Sequence, residues 1–144
     1  MLVQQILSAK PSHDIITIAP GSSIRDAVEL LSAKRIGAVI VSADGKTVAG
    51  ILSERDIVRE LGKQGPGCLE HKVESLMTAR IVGCTTTDAA DQVMQKMSDG
   101  RFRHMPVMDG DAMVGFISIG DVVKARLSEL AMEKDALEGM IKGY

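Results

Sequence analysis

Two stretches with the same pattern, Gly50-Ile-Leu-Ser-Glu-Arg-Asp56 and Gly115-Phe-Ile-Ser-Ile-Gly-Asp121, decide the fold of this sequence. Each begins with glycine and two apolar residues, continues with a serine, and has an aspartate three positions after that serine. An apolar pair follows each aspartate, and the two copies lie 65 residues apart. Recurrence of one pattern at this separation predicts a single structural unit that occurs twice in the chain.

The first unit is predicted to have the order β-α-β-β-α. A continuous apolar run over residues 36–41 is typical of a strand buried on both faces, and Asp44-Gly45 predicts a hairpin turn after it. The other predicted elements are a strand over 15–18, a helix capped by Ser22 or Ser23, a strand over 48–52 and a helix from Ser53 to Leu61.

The second unit is predicted to repeat this order. Its elements are a strand starting at Ile81-Val82, a helix capped by Thr86 or Thr87 and ended by Gly100, a strand over 104–108, an Asp109-Gly110 turn, a strand over 113–117 and a last helix from Ser118 to about Lys142. Residues 3–8 are echoed by residues 73–78, just before the second unit. The predicted domains are residues 1–66 for the first repeat and 67–144 for the second repeat with its helical extension.

The last helix is predicted to be longer than its counterpart in the first repeat. Its apolar residues alternate in steps of four and three, with Lys134 interrupting the stripe: Val123, Leu127, Leu130, Leu137 and Ile141. Such a stripe fits a helix that covers its own domain, and it fits equally a seam against a second chain.

Composition excludes several classes of partner. The net charge is -2 and only 2% of the residues are aromatic, which argues against a nucleic-acid-binding surface. The apolar runs are too short to span a membrane, and residues 1–10 do not have the pattern of a signal peptide. Because Cys68 and Cys84 show no metal or redox spacing, we expect reduced thiols in a cytoplasmic protein.

Catalysis is not expected. The sequence shows no Ser/His/Asp set, no metal-ligand cluster among His13, His71 and His104, and no phosphate loop of the Walker type. The predicted function is therefore of a non-enzymatic class.

The ordered motifs resemble a tandem pair of cystathionine-β-synthase (CBS) domains, also called a Bateman module, over about residues 3–130. The features that carry the resemblance are Arg35-Ile-Gly-Ala-Val-Ile-Val41 and Arg101-Phe-Arg-His-Met-Pro-Val107, the two Asp-Gly turns, and the two Gly-x-x-Ser-x-x-Asp stretches. The first copy departs from the family in having Ile40 where proline is frequent. The resemblance implies an α+β fold of two β-α-β-β-α repeats packed about a pseudo-twofold axis, with an extended C-terminal helix.

Proteins of this family commonly bind adenosine nucleotides in the cleft between the repeats, so the resemblance implies AMP, ADP, ATP or NAD(H) as ligand. The aspartate can accept hydrogen bonds from ribose hydroxyls, while the serine and the helix N-terminus can meet phosphate oxygens. Asp121 and Ser118 would serve one site, and Asp56 and Ser53 the other. A serine followed three residues later by an acid is also a capping box, and the two roles are compatible.

The resemblance adds charged residues to the site of the second repeat. Arg103 and His104 lie at the entry of the strand over 104–108, a position that faces the cleft in the family. An arginine there suits phosphate, and it is equally consistent with an ordinary solvated charge. Arg55 lies next to Asp56 in the sequence and either reaches a phosphate or stays in water.

The adenine is expected between aliphatic walls, although each wall residue is equally plausible as part of the core. Ala19, Ile36 and Ile24 would form one wall, and Thr85, Ala90 and Phe102 the other. Gly37, which matches Arg103 in the second copy, would let the backbone approach the base.

The sequence thus predicts a non-catalytic regulatory module that binds an adenosine nucleotide. The alternative is a ligand-free dimerisation or interaction module that holds or regulates a partner protein. A homodimer is expected, with a partner enzyme or transporter that responds to it, and neither nucleic acid nor membrane is expected as a partner.

Overall fold

The computed structural model describes residues 1–142 and contains two compact units. Unit 1 consists of Met1–His13, Gly83–Asp109 and the described part of Gly115–Tyr144, and unit 2 of Asp14–Val82 and Gly110–Val114. The first thirteen residues therefore pack with the second repeat, so the units do not follow the predicted division at residue 66. That division stays a prediction for the repeats, and Gly143 and Tyr144 lie outside the described residues. Over residues 1–142, no helix has the length and apolar character needed to cross a membrane.

The helices and strands alternate along the chain much as the sequence predicts. Their bounds are α1 Val3–Ala9, β1 Thr17–Ile18, α2 Ile24–Lys34, β2 Ala38–Val41, β3 Gly50–Ser53, α3 Glu54–Gln64, α4 Ala90–Gly100, β4 His104–Asp109, β5 Ala112–Ser118 and α5 Ile119–Lys142. Two short 3-10 helices, Pro66–Glu70 and Val73–Ser75, follow α3.

Unit 2 contains a three-stranded sheet in the order β1-β2-β3. β2 is parallel to β1 and antiparallel to β3, and all four of its residues are buried, as its apolar sequence predicts. The predicted turn after β2 depends on Asp44, whose Oδ1 accepts the N–H groups of Lys46 at 2.8 Å and Thr47 at 2.7 Å. These hydrogen bonds, of which the one from the Thr47 N–H has the largest effect, hold the pKa of the Asp44 carboxyl well below its ordinary value.

Unit 1 contains β4 and the part of β5 from Gly115 onward, packed with α1, α4 and α5, and β4 pairs with β5 in a two-stranded sheet. The predicted strand at Ile81-Val82 is wrong, because those residues are in no strand. The pairing begins later, at Cys84, which forms an isolated parallel bridge with Val107. The two β-branched residues alone gave too short a signal to locate it.

The helix ends correct two further sequence predictions. Ser23 caps α2 as predicted, but α4 begins after Ala89, where the Gln92 side chain accepts the Ala89 N–H at 3.1 Å, so a Thr86 or Thr87 cap is wrong. Gly100 is the last helical residue of α4, and the left-handed position after it is Arg101, with φ of 56°. The Phe102 N–H closes this end by donating to the Met97 carbonyl.

Each unit is completed by a segment that precedes the other repeat in the sequence. In unit 1, the Val3 N–H donates to the Asp88 carbonyl at 2.9 Å, and the Val3 side chain is buried. In unit 2, the Val73 N–H donates to the Ser22 carbonyl at 2.9 Å, and Val73 is likewise buried. The echo between residues 3–8 and 73–78 is therefore a structural equivalence.

The glycine that opens each repeated stretch lies beneath a side chain of this segment. A Cβ added at Gly115 would lie 2.8 Å from both methyl carbons of Leu7, and one added at Gly50 would collide with Met77. Any side chain at either position would force Leu7 or Met77 away from the sheet. The motif glycine thus leaves the space that Leu7 and Met77 occupy where the segment closes over the strand.

We predict that Ile6→Ala lowers the free energy of unfolding by about 2–5 kcal/mol, because Ile6 is 3% exposed in the core of unit 1. Urea denaturation measures this. The matched control is Val58→Ala, which truncates a β-branched aliphatic side chain at a position 67% exposed on α3 and should change stability by no more than about 0.5 kcal/mol. Equal stability of the two variants would show that α1 is not part of the core.

Candidate functional site

The turn from β5 into α5 holds Ser118 and Asp121 against each other. The Ser118 N–H donates to Asp121 Oδ2 at 2.9 Å, and the Asp121 N–H donates to Ser118 Oγ at 3.3 Å. This reciprocal pair is the capping-box arrangement, so the carboxylate stabilises the first turn of α5. The capping bond uses Oδ2, and a carboxylate offers about four lone-pair sites, which leaves Oδ1 able to accept other donors.

A lysine just after α1, Lys10, forms an ion pair with this carboxylate. Lys10 Nζ lies 3.0 Å from Asp121 Oδ2 and donates to the Phe116 carbonyl at 2.8 Å. Burial by itself raises the pKa of Asp121. The Ser118 backbone hydrogen bond and Lys10 outweigh that effect, so the pKa lies below its ordinary value. The carboxylate is therefore ionised at neutral pH.

Arg103 and His104 lie beside the same turn. The Arg103 carbonyl accepts the N–H of Ile119, the first residue of α5, at 2.7 Å, and the Arg103 side chain is exposed. The His104 ring stacks on Phe116, with centroids 5.7 Å apart and an interplanar angle of 17°. Four predicted residues of the second repeat thus meet at one place with Lys10 and Phe116: Ser118, Asp121, Arg103 and His104.

Phe102 and Thr85 make their contacts elsewhere in unit 1. The half-buried Phe102 ring packs on the core of unit 1 and covers Gly100. Thr85 is exposed, and its N–H donates to Asp88 Oδ2 at 2.9 Å. Their assignment as an adenine wall remains a prediction.

Unit 2 has the same turn at Ser53 and Asp56. Asp56 Oδ2 accepts both the Ser53 N–H at 3.1 Å and the Ser53 hydroxyl at 2.9 Å. The Gly37 carbonyl accepts the Glu54 N–H at 2.9 Å, as that of Arg103 accepts the Ile119 N–H in unit 1. The arginine that reaches Asp56 is Arg59, at 3.4 Å from Oδ1, one turn further along α3. Arg55, which the sequence placed next to Asp56, is exposed.

A groove of about 610 Å³ opens on unit 2 between α2 and α3. Two predicted site residues line it, Ile36 and Gly37, beside Arg35, Glu54 and Ile57. Ala19 is exposed in the turn before α2, where its carbonyl accepts the Ser22 N–H. The groove therefore joins two of the predicted residues of unit 2.

Sequence reasoning missed Lys10, although a signal for it was present. The echo between residues 3–8 and 73–78 continues to a basic residue at the same position in both copies, Lys10 and Arg80. A shared charge at the end of a repeated segment indicates a common contact. Lys10 makes that contact with Asp121 in unit 1.

The thiol of Cys84 stays protonated at neutral pH. Cys68 and Cys84 are both buried. Burial, aided by the negative charge of Asp88, raises the pKa of the Cys84 thiol to about 11.

Comparison with known proteins identifies this arrangement. The family model described as CBS domain matches twice, over residues 3–63 and 73–128. The chain is 35% identical over 125 residues to the CBS domain-containing protein CBSX3, mitochondrial, of Arabidopsis thaliana, which corresponds to 84% of this chain. The chain spans 61% of the length of that relative, and 23% of another Arabidopsis thaliana protein, CBSCBSPB2.

Solved structures agree over nearly the whole chain. The CBS-domain containing protein ATU1752 from Agrobacterium tumefaciens superposes with a TM-score of 0.83 at 42% identity, covering 88% of this chain and 99% of that one. The CBS domain pair of protein MJ0100, in complex with 5-methylthioadenosine and S-adenosyl-L-methionine, gives 0.74 at 25%, covering 87% and 98%. CBSX2, in complex with AMP, gives 0.72 at 26%, covering 88% and 96%. The α+β fold class expected from the resemblance is confirmed.

We predict that Lys10→Met raises the pKa of Asp121 toward its ordinary value, because the variant removes a cation 3.0 Å from the carboxylate. A lowered carboxyl pKa stabilises the fold above the unfolded pKa, and this contribution is lost as pH falls through the folded pKa. The variant should therefore be less stable than wild type by about 1 kcal/mol above about pH 5, and the difference should shrink as the pH is lowered toward 3.

A carbon-detected NMR titration of the carboxyl and urea denaturation at several pH values measure these effects. The matched control is Lys63→Met, which removes the same charge from an exposed position on α3. An Asp121 pKa that is the same in both variants would contradict the role of Lys10.

Proposed function

The chain belongs to the CBS domain family, and from this premise we propose that it is a non-catalytic regulatory module that binds an adenosine nucleotide at the Ser118–Asp121 turn. One observation carries the proposal: an ionised carboxylate at a helix N-terminus, oriented by Ser118 and side by side with basic residues. Two relatives of the same fold are described in complex with adenosine compounds, AMP in one and 5-methylthioadenosine with S-adenosyl-L-methionine in the other. The proposed ligands are AMP, ADP, ATP or NAD(H).

The ribose is the part of the ligand that Asp121 would hold. A carboxylate can accept hydrogen bonds from two neighbouring hydroxyls, and the bonds are charge-assisted. Because Ser118 already fixes the carboxylate, little side-chain entropy is lost when the ribose binds. Capping and ribose binding are therefore compatible roles of one residue.

The phosphate would lie toward Lys10 and Arg103. Lys10 has three N–H donors, so it can keep its bond to Asp121 and still donate to a phosphate oxygen. The Arg103 side chain is exposed beside the N-terminus of α5, and the helix dipole favours negative charge there. His104, held by its stacking on Phe116, would add a polar contact.

The corresponding turn of unit 2 would form a second and different site. Asp56 and Ser53 have the same geometry, but Ile36 and Gly37 stand where Phe102 and Arg103 stand in unit 1. Arg55 and Arg59 would supply the positive charge, of which Arg59 is already paired with Asp56. With fewer cations on the strand side, we expect weaker binding of phosphate-bearing ligands at this site.

The response to the ligand would pass through a homodimer to a partner enzyme or transporter. An alternative is favoured by the exposed apolar residues of α5, such as Leu127 and Leu137: the module dimerises or holds a partner protein without any ligand. The two proposals differ in whether nucleotide binds at all. A cytoplasmic location stays part of the prediction.

We predict that calorimetric titration of wild type shows binding of at least one of AMP, ADP, ATP and NADH, and that Asp121→Asn weakens this binding by roughly tenfold or more. A hydrogen bond to a charged group contributes about 1.5–3 kcal/mol, and 1.4 kcal/mol is a factor of ten. The matched control is Asp91→Asn, an acid in the first turn of α4, which should bind as wild type does. Absence of binding to every nucleotide would instead support the ligand-free alternative.

We further predict that Arg103→Gln weakens AMP several-fold while leaving 5-methylthioadenosine unchanged. The two compounds share adenine and ribose and differ at the 5′ position, where only AMP carries a charged phosphate. The measurement is the ratio of the two dissociation constants in wild type and variant. Equal weakening of both compounds would place Arg103 away from the phosphate.

A further inference from the structure

The last part of α5 projects from unit 1 without a partner of its own. The last buried residue of the helix is Ala125, and Glu129 is tied to the N-terminal ammonium of Met1 at 2.9 Å. Residues 130–142 are exposed apart from the half-buried Gly139. This is about 20 Å of helix. An isolated helix of this length is marginal in water, so packing against another surface is needed to hold it.

The exposed face is a regular apolar stripe. Its positions follow each other in steps of four and three, as at the a and d sites of a coiled coil, and they are Val123, Leu127, Leu130, Lys134, Leu137 and Ile141. The five apolar members are all exposed. Met132 is also exposed but lies on the opposite side of the helix from this seam.

We infer that the occupant of this stripe is α5 of a second copy, running antiparallel. The homodimer is part of the proposed function, but the pairing does not depend on any ligand. In a parallel pair, Lys134 would face the partner's Lys134 at the centre of the seam. Glu133 would approach the partner's Glu138, because g and e positions five residues apart meet in parallel coiled coils. Both contacts are between like charges, and each weakens the parallel form.

The antiparallel pair removes these conflicts. With the twofold axis near Met132, Leu127 lies opposite the partner's Leu137 and Val123 opposite the partner's Ile141. Lys134 then packs its alkyl stem on the partner's Leu130. By symmetry each of these layers occurs twice.

The flanking charges favour the same direction. Lys124 lies beside the partner's Glu138, which gives two attractive pairs by symmetry. Glu133 meets the partner's Glu133 at the axis, the one repulsive contact of this arrangement, and each of these acids is adjacent to a Lys134. The antiparallel seam therefore has the better charge complementarity.

Sedimentation of the full chain tests the seam. Wild type is expected to be a dimer at micromolar concentration, and Leu137→Glu should raise the dimer dissociation constant by at least about tenfold. The matched control is Met132→Glu: Leu137 and Met132 are 60% and 59% exposed, but only Leu137 is in the seam. Met132→Glu should remain a dimer. A monomeric wild type, or a Leu137→Glu variant that dimerises as wild type does, would overturn the proposal and direct attention to another surface.

Cysteine cross-linking tests the direction of the helices. The double variant Leu127→Cys with Leu137→Cys should form an intermolecular disulfide on mild oxidation, whereas Leu130→Cys alone should not. The native Cys68 and Cys84 are 1% and 3% exposed and should not compete. In a parallel pair each seam residue would face its own copy, so the double variant and the single variant Leu130→Cys would both cross-link. Disulfide formation by Leu130→Cys therefore means parallel helices and overturns the inference, and so does a double variant that fails to cross-link.

The same samples separate this inference from the proposed ligand. Titration with AMP should give the same affinity for wild type and for Leu137→Glu, because Leu137 is sixteen residues beyond Asp121 on a projecting helix. A wild type that dimerises through α5 but binds no nucleotide supports the seam and refutes the ligand. A wild type that binds AMP as a monomer does the reverse.

Discussion

Completion of each core by a distant segment is the constraint on which the rest of the structure depends. The core of unit 1 is aliphatic, and α1 supplies two of its fully enclosed side chains, Val3 and Ile6. The same segment closes over Gly115 through Leu7 and ends in Lys10, which binds Asp121. Burial of the apolar face of α1 thus positions three things: β5, the start of α5, and the positive charge of Lys10 beside Asp121. At about 25 cal/mol per Å² of apolar area, this burial outweighs any single polar contact described above.

The capping box illustrates how one arrangement can serve both stability and binding. Ser118 and Asp121 satisfy backbone N–H groups that the start of α5 would otherwise leave without partners. The carboxylate so held is ionised, oriented and only partly buried, which are the properties a ribose site requires. Lys10 keeps that negative charge compensated in the absence of ligand, so the site carries little electrostatic cost while it is empty.

Local signals in the sequence were sufficient for much of the fold and for half of the site. The buried β2, the Asp44 turn, and the pairs Ser53–Asp56 and Ser118–Asp121 each depend on residues a few positions apart. The sequence predicts the left-handed residue at Gly100, because glycine tolerates that conformation best. The structure has it at Arg101, where the hydrogen bonds to the Met97 carbonyl end the helix. Lys10 and Asp121 are 111 residues apart, and no local propensity encodes their contact. The one indication of it in the sequence was the basic residue shared by both copies of the repeated segment, Lys10 and Arg80.

The membership of α1 in unit 1 has a consequence for the order in which the chain is synthesised. Most of unit 2, residues 14–82, emerges from the ribosome early, whereas the residues that enclose Val3 and Ile6 extend to Ala125. At roughly 5–20 residues per second, residues 3–9 wait on the order of 10 s for these later partners. Because such long-range closure is slow, α1 keeps its apolar face exposed during that time and is a segment that chaperones have reason to shield.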